Sequence, residues 1–148
     1  MRITAIAPKD MSRKKRKVAA YCRVSTEADE QENSLENQKD FYERKIRSNK
    51  KYEFAGVYYD FGISGFKEKR PGFQQMITDA MNGKIDLILT KSISRFARNT
   101  VTMLKVVRQL KSVGVGIFFE LQNINSLSDE GELMLSIHLH GIHGWYQP

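Results

Sequence analysis

Apolar residues in this chain alternate between short unbroken runs and helical stripes. Val18-Ala19-Ala20-Tyr21 is an unbroken run that predicts a short buried strand. Asn33 followed by Glu36 has the form of a capping box. Leu35, Tyr42 and Ile46 then mark one face of a helix to about Asn49. Phe54 to Tyr59 predicts a second strand ending at Asp60. Turn signals at Gly62, Ser64-Gly65 and before Pro71 make Phe61 to Arg70 a mobile loop, with Lys67, Lys69 and Arg70 off any core. Pro71 suits the first turn of a helix, and Phe73, Met76, Ile77, Ala80 and Met81 follow its period up to Asn82-Gly83.

The second half repeats this pattern. Leu87-Ile88-Leu89 predicts a third strand, followed by a polar loop from Lys91 to Asn99. Asn99 or Thr100 caps a helix with Val101, Leu104, Val107 and Leu110 inward, and Gly114 stops it. Val115 to Leu121 is the fourth strand, and Gln122 to Leu127 a loop. Ser128 caps a last helix whose positive end suits Asp129, Glu130 and Glu132. Strand–helix alternation of this kind predicts an α/β fold, a mainly parallel sheet of four or five strands flanked by helices. Residues 1–17 form a basic arm, with Arg13 to Lys17 solvated. Residues 18–137 form the domain and 138–148 a tail.

Composition narrows the class. The chain has 148 residues, enough to bury a core in one domain. Its 24 Lys+Arg against 17 Asp+Glu leave a net charge of +7, which favours a polyanionic partner, nucleic acid before membrane. The single cysteine, Cys22, excludes an internal disulfide and a Cys-rich metal site, and reads as a small apolar strand residue. The basic start has no apolar run long enough for a signal peptide or a membrane span, which predicts a cytoplasmic protein.

Polar residues collect where strands end. Arg23 and Ser25 follow the first strand and share a face. Asp60, Ser64 and Arg70 follow the second, and Ser94, Arg95 and Arg98 the third. In a parallel sheet these ends share one edge, the edge that carries sites in open α/β folds. Arginines gathered around a serine suit a phosphate, because guanidinium forks bind phosphate oxygens in pairs and stabilise charge developing in phosphoryl transfer. Arg95 and Arg98, three apart, would face the same way on a helical turn. Standing alone, that pair reads sooner as a solvated surface with salt bridges to Asp60 or Glu residues than as a phosphate clamp. Other sites fail on spacing. His138, His140 and His143 crowd the tail, away from any serine or aspartate triad. Ala28 stands where a cysteine phosphatase loop needs arginine. Gly83-Lys84-Ile85 lacks the hydroxyl of a nucleotide loop, and Arg23-Val24-Ser25 lacks the acidic pair of a receiver domain.

Together these residues resemble the catalytic domain of the serine recombinase (resolvase/invertase) family, from about Lys17 to Ile137. Tyr21-Cys22-Arg23-Val24-Ser25-Thr26 is similar to its nucleophile motif, with Ser25 as nucleophile. Ser34-Leu35-Glu36-Asn37-Gln38 is similar to the following element, with Gln38 in the place of an active-site glutamine. Asp60, Ser64-Gly65 and Arg70 match the second loop. Ser94-Arg95-Phe96-Ala97-Arg98-Asn99 matches the loop of paired arginines. Ser94, where some members carry aspartate, looks more like the large serine recombinases of phages and mobile elements. The resemblance implies that the Ser25 hydroxyl attacks a DNA phosphodiester, holds the 5′ end as phosphoserine and releases a 3′ hydroxyl. That hydroxyl reseals an exchanged strand, with no cofactor. Arg23, Arg70, Arg95 and Arg98 would hold the phosphate. The implied partners are DNA and further copies of the chain, a dimer that pairs into a tetramer through its last helix.

The tail departs from that pattern. Glu132 to Ile137 fits the last helix, but Gly141, Gly144 and Pro148 suit a long helix poorly, and no DNA-binding region follows. The alternative to an active recombinase domain is therefore a remnant that only dimerises or interacts.

Overall fold

The computed structural model describes residues 14–25, 34–62, 69–97 and 99–137, with Ser25 and Thr100 described by backbone alone. Most of the basic arm, the residues around Asn33, the centre of the second loop with Ser64, Arg98 and the tail from His138 lie outside the described residues.

Five strands form one sheet in the order β2-β1-β3-β4-β5. They are β1 (Arg16–Ser25), β2 (Tyr52–Gly62), β3 (Leu87–Thr90), β4 (Gly116–Phe119) and β5 (Ile124–Asn125). The first four are mutually parallel and β5 runs antiparallel to β4. The helices are α1 (Leu35–Arg47), α2 (Pro71–Met81), α3 (Ile93–Phe96), α4 (Thr100–Lys111) and α5 (Asp129–Ser136). The α/β class and the helix-flanked, mainly parallel sheet are as the alternation of runs and stripes predicts.

The two faces of the sheet are unequally covered. Val18, Ala20, Cys22, Leu87 and Leu89 face α1, which contributes Tyr42 and Ile46. Ala19, Tyr21, Ile88 and Ile117 face a larger core filled by α2, α3, α4 and α5 through Phe73, Met76, Phe96, Met103, Leu110 and Leu135. Each fully buried side chain of this kind contributes roughly 2 kcal/mol. Alternation along β1 feeds the two cores from one strand, which is why its run is apolar at every position.

Several local expectations change. Arg16 and Lys17 belong to β1 rather than to a solvated arm, and the Lys17 amide donates to Asp86 at 2.8 Å. Ser34 caps α1, its hydroxyl accepting from the Asn37 amide, and the helix ends at Arg47. Phe61 and Gly62 extend β2 into the expected loop. The polar stretch after β3 contains a helical turn, α3, capped by the Ser92 hydroxyl. On α4 the inward residues are Met103, Val107 and Leu110, while Val101 is 74% exposed. The helix starts at Thr100, so its inward stripe runs through Met103, and Val101 falls outside it. Val115 precedes β4 rather than opening it, and Leu121 lies past its end, 68% exposed. β5 lies inside the expected 122–127 loop, too short for alternation to reveal it.

One irregularity shapes the edge strand. Val18 pairs with Phe54, but Ala19 pairs with Gly56, so Ala55 is an extra residue in β2. Gly56 takes φ 116°, a left-handed value that glycine adopts without steric cost.

Candidate active site at the end of the first strand

The strand order reverses between β1 and β3, and an open α/β sheet places its site outside the carboxyl ends at that crevice. β1 ends there with Arg23-Val24-Ser25, in register with Asp60-Phe61-Gly62 of β2. β3 ends at Thr90, whose hydroxyl donates to the Tyr21 carbonyl at 3.3 Å. The Ser92 cap then turns the chain into α3, which carries Ser94 and Arg95.

On the α2 side the polar groups are locked. Asp60 is 6% exposed, and its carboxylate accepts from the Gly72 and Phe73 amides at 2.7 and 2.8 Å. Those amides belong to the first turn of α2, where no intrahelical partner exists, so Asp60 caps the helix from a neighbouring strand. The same carboxylate accepts from the Tyr21 hydroxyl at 2.7 Å. Burial holds that hydroxyl well above the usual tyrosine range; Arg70 pulls it down and the bond to Asp60 pushes it up, so it stays protonated and donating.

Arg70 closes this arrangement. Its Nε donates to the Tyr21 hydroxyl at 3.3 Å, and its Nη2 donates to the Phe96 carbonyl. The guanidinium lies 3.8 Å from the Phe73 ring centroid and 5.3 Å from that of Tyr21. Arg70 itself sits at φ 49°, a left-handed value that costs a side-chain-bearing residue roughly 1 kcal/mol. The expectation that Arg70 stands away from any core is therefore wrong. The Tyr21 and Phe73 rings and the Phe96 carbonyl form its seat; Phe73 is near in the chain, but Tyr21 and Phe96 are tertiary contacts that no local pattern signals.

On the α1 side the arrangement is open. Arg95 is exposed, and its Nη1 donates to the Arg23 carbonyl at 2.9 Å, bridging the loop after β3 to the end of β1. The Arg23 side chain lies against β2, where a Cβ on Gly62 would come 2.9 Å from its Nη2. Arg95 and Gln38 also line a cleft of about 400 Å³ between the first half of α1 and the ends of β3 and β4. Glu120 sits in its wall, accepting from the Tyr42 hydroxyl at 2.6 Å and from Lys45 at 2.5 Å. Ser94 is exposed, with its hydroxyl 3.2 Å from that of Ser92.

The described site residues thus gather at one sheet edge but not in one shell. Arg23 and Arg95 meet; Asp60 and Arg70 join through Tyr21; Gln38 lines the same cleft as Arg95. α3 stops at Phe96 and Ala97 is extended at φ −157°, while the expected pairing of Arg95 with Arg98 lies outside the described residues. Ser64, Arg98 and the Ser25 side chain lie outside the described residues. Tyr21 is the working residue that pattern reading leaves among strand apolars; a phenol in a short buried run is its signal, because a buried hydroxyl requires a partner. Cys22 behaves as a small apolar residue: burial first, then Glu120, push its thiol up to about 12, against Arg95.

Residues 18–140 match the family model described as resolvase, N-terminal domain. The chain belongs to the resolvase family of serine recombinases. Among solved serine recombinases, the N-terminal catalytic domain of TP901-1 integrase is 28% identical with a TM-score of 0.67, over 87% of this chain and 95% of that one. A resolvase family site-specific recombinase from Streptococcus pneumoniae is 34% identical with a TM-score of 0.67, over 88% and 87%. The catalytic domain of ISC1926 TnpA, an IS607-like serine recombinase, is 18% identical with a TM-score of 0.57 over 85% and 80%, a likeness of fold alone. No curated protein matches the chain. Among the described residues no helix of this serine recombinase domain is long and apolar enough to cross a membrane.

Proposed function

We propose that this domain cuts and rejoins DNA through Ser25. The observation that carries the reading is the Arg95 bridge to the Arg23 carbonyl, which ties the arginine loop to the strand end that bears Ser25. In the proposed step the Ser25 oxygen forms a bond to phosphorus while the bond from phosphorus to the 3′ oxygen breaks. The serine proton passes, directly or through solvent, to the departing 3′ oxygen. One phosphodiester becomes one phosphoserine ester, so the bond energy is kept and no cofactor is consumed. Attack by the 3′ hydroxyl of an exchanged strand reverses the step.

Arg23 and Arg95 stand where guanidinium forks can take the non-bridging oxygens and the charge that grows on them. Arg98, Ser64, Ser94 and Gln38 complete the proposed site. Asp60 acts through others, fixing the start of α2 and, through Tyr21, Arg70. The partners are DNA and further copies of the chain, a dimer that pairs into a tetramer, and the setting is cytoplasmic. The test is a denaturing gel after incubation with nicked DNA. A covalent adduct that disappears in Ser25→Ala, with the fold intact by circular dichroism, is the expected result. An adduct at the wild-type level in that variant removes Ser25 from the role.

A further inference from the structure

Phe41 is out of place on α1. The helix buries Tyr42 and Ile46 against the sheet, while Phe41 is 55% exposed, off that stripe. It stands in the wall of the cleft shared with Gln38 and Arg95. Its ring is fixed edge-on to Tyr42 at 5.1 Å between centroids, with the Lys45 ammonium 5.6 Å from its own centroid. Lys91 adds another cation to the lining, which also holds Glu120. Lys45 pairs with Glu120, which also accepts from Tyr42, so among the described residues the remaining excess in the lining, Lys91 and Arg95, is positive.

An exposed, braced aromatic ring beside unmatched cations, in a cavity large enough for a small ligand, is the composition that takes an unstacked base on the ring and its phosphates on the cations. A duplex cannot use the ring, since its base faces are covered by their neighbours. We propose that this cleft is a subsite for single-stranded DNA, receiving bases that leave the duplex beside the cut. The proposal rests on the reading of the domain as a DNA-cutting enzyme, because strand exchange requires bases near the cut to part from their partners. Arg95 joins the two places, lining the cleft and reaching the Arg23 carbonyl.

The test is fluorescence anisotropy of the full chain with a labelled oligothymidylate about ten nucleotides long, and with a duplex of the same length. Phe41→Ala is expected to weaken single-strand binding about tenfold and to leave duplex binding nearly unchanged. Lys91→Gln is expected to weaken both and to reduce the salt dependence by about one phosphate contact. Should Phe41→Ala fold poorly, Phe41→Trp in a Trp145→Phe background supplies an emission that the oligothymidylate quenches. Single-strand binding unaffected by Phe41→Ala, equal losses on both ligands, or no quenching would overturn the subsite. Binding needs no bond to be cut, so it is independent of adduct formation. Loss of the adduct alone counts against the cutting reaction; loss of Phe41 dependence alone counts against the cleft.

Discussion

The two sides of β1 use arginine in opposite ways. On the α2 side, Arg70 is stacked on Phe73 and Tyr21 and bonded to the Phe96 carbonyl, beside a carboxylate that already caps a helix. On the α1 side, Arg95 is exposed, holds one backbone carbonyl and faces an open cleft. The contacts of the first arginine tie the fold together; on the proposed reading, the second exchanges its contact for a phosphate at little structural cost. Residue type and strand-end position mark both as candidate phosphate ligands. Their surroundings separate a strut from a hand.

The largest effect that could break this comparison comes from Asp60. Asp60→Ala leaves the Gly72 and Phe73 amides and the Tyr21 hydroxyl without their shared acceptor. Urea denaturation should then show a loss of about 3–5 kcal/mol. Asp60→Asn keeps one carbonyl acceptor and should lose clearly less. A loss below about 1 kcal/mol for Asp60→Ala would mean that this side is not locked.

A paired exchange sharpens the contrast. Arg70→Lys gives up ring stacking and the fork, and should cost about 1–2 kcal/mol in the same titration. Arg95→Lys should change stability by under about 0.5 kcal/mol. It should nevertheless slow adduct formation on nicked DNA about a hundredfold, as for loss of a transition-state donor. If the two substitutions shift stability equally, strut and hand are the same thing.

The smallest expected effect asks how deep the open side reaches. Cys22 lies beneath it, 2% exposed, with its thiol pushed up to about 12. A thiol reagent needs both access and thiolate, so at pH 8 native protein should be labelled only at the rate of unfolding. Rapid labelling without denaturant would show that the cleft extends to the sheet.

Much of the architecture was legible because it is local. The runs at Val18 and Leu87 and the stripe through Phe73, Met76 and Ala80 each carry their own period, and the Ser128 cap carries its own chemistry. The site was legible in membership and less so in arrangement. Arg23, Asp60, Arg70 and Arg95 do come to one edge, as strand ends must in a parallel sheet. The seat of Arg70 depends on Tyr21, Phe73 and Phe96 converging from three elements, and no short window contains that. Val101 was placed inward by stepping back from Val107 in threes, whereas the buried stripe steps back by four to Met103.

The extra residue at Ala55 reaches further than its position suggests. Strand side chains alternate, so a single inserted residue exchanges inner for outer at every later position. Before the insertion Phe54 turns toward the α1 core; after it Tyr58 bonds to Asp79 of α2 and Asp60 meets the start of the same helix. Were the same residues to pair without the bulge, Tyr59 and Phe61 would inherit the inward phase, while Asp60 would turn away from the amides it holds. The position thus works as a reading-frame marker written in three dimensions. A β2 that kept Ala55 but lost the bulge would hold every proposed catalytic residue in the sequence and still misaddress the carboxylate that steadies them.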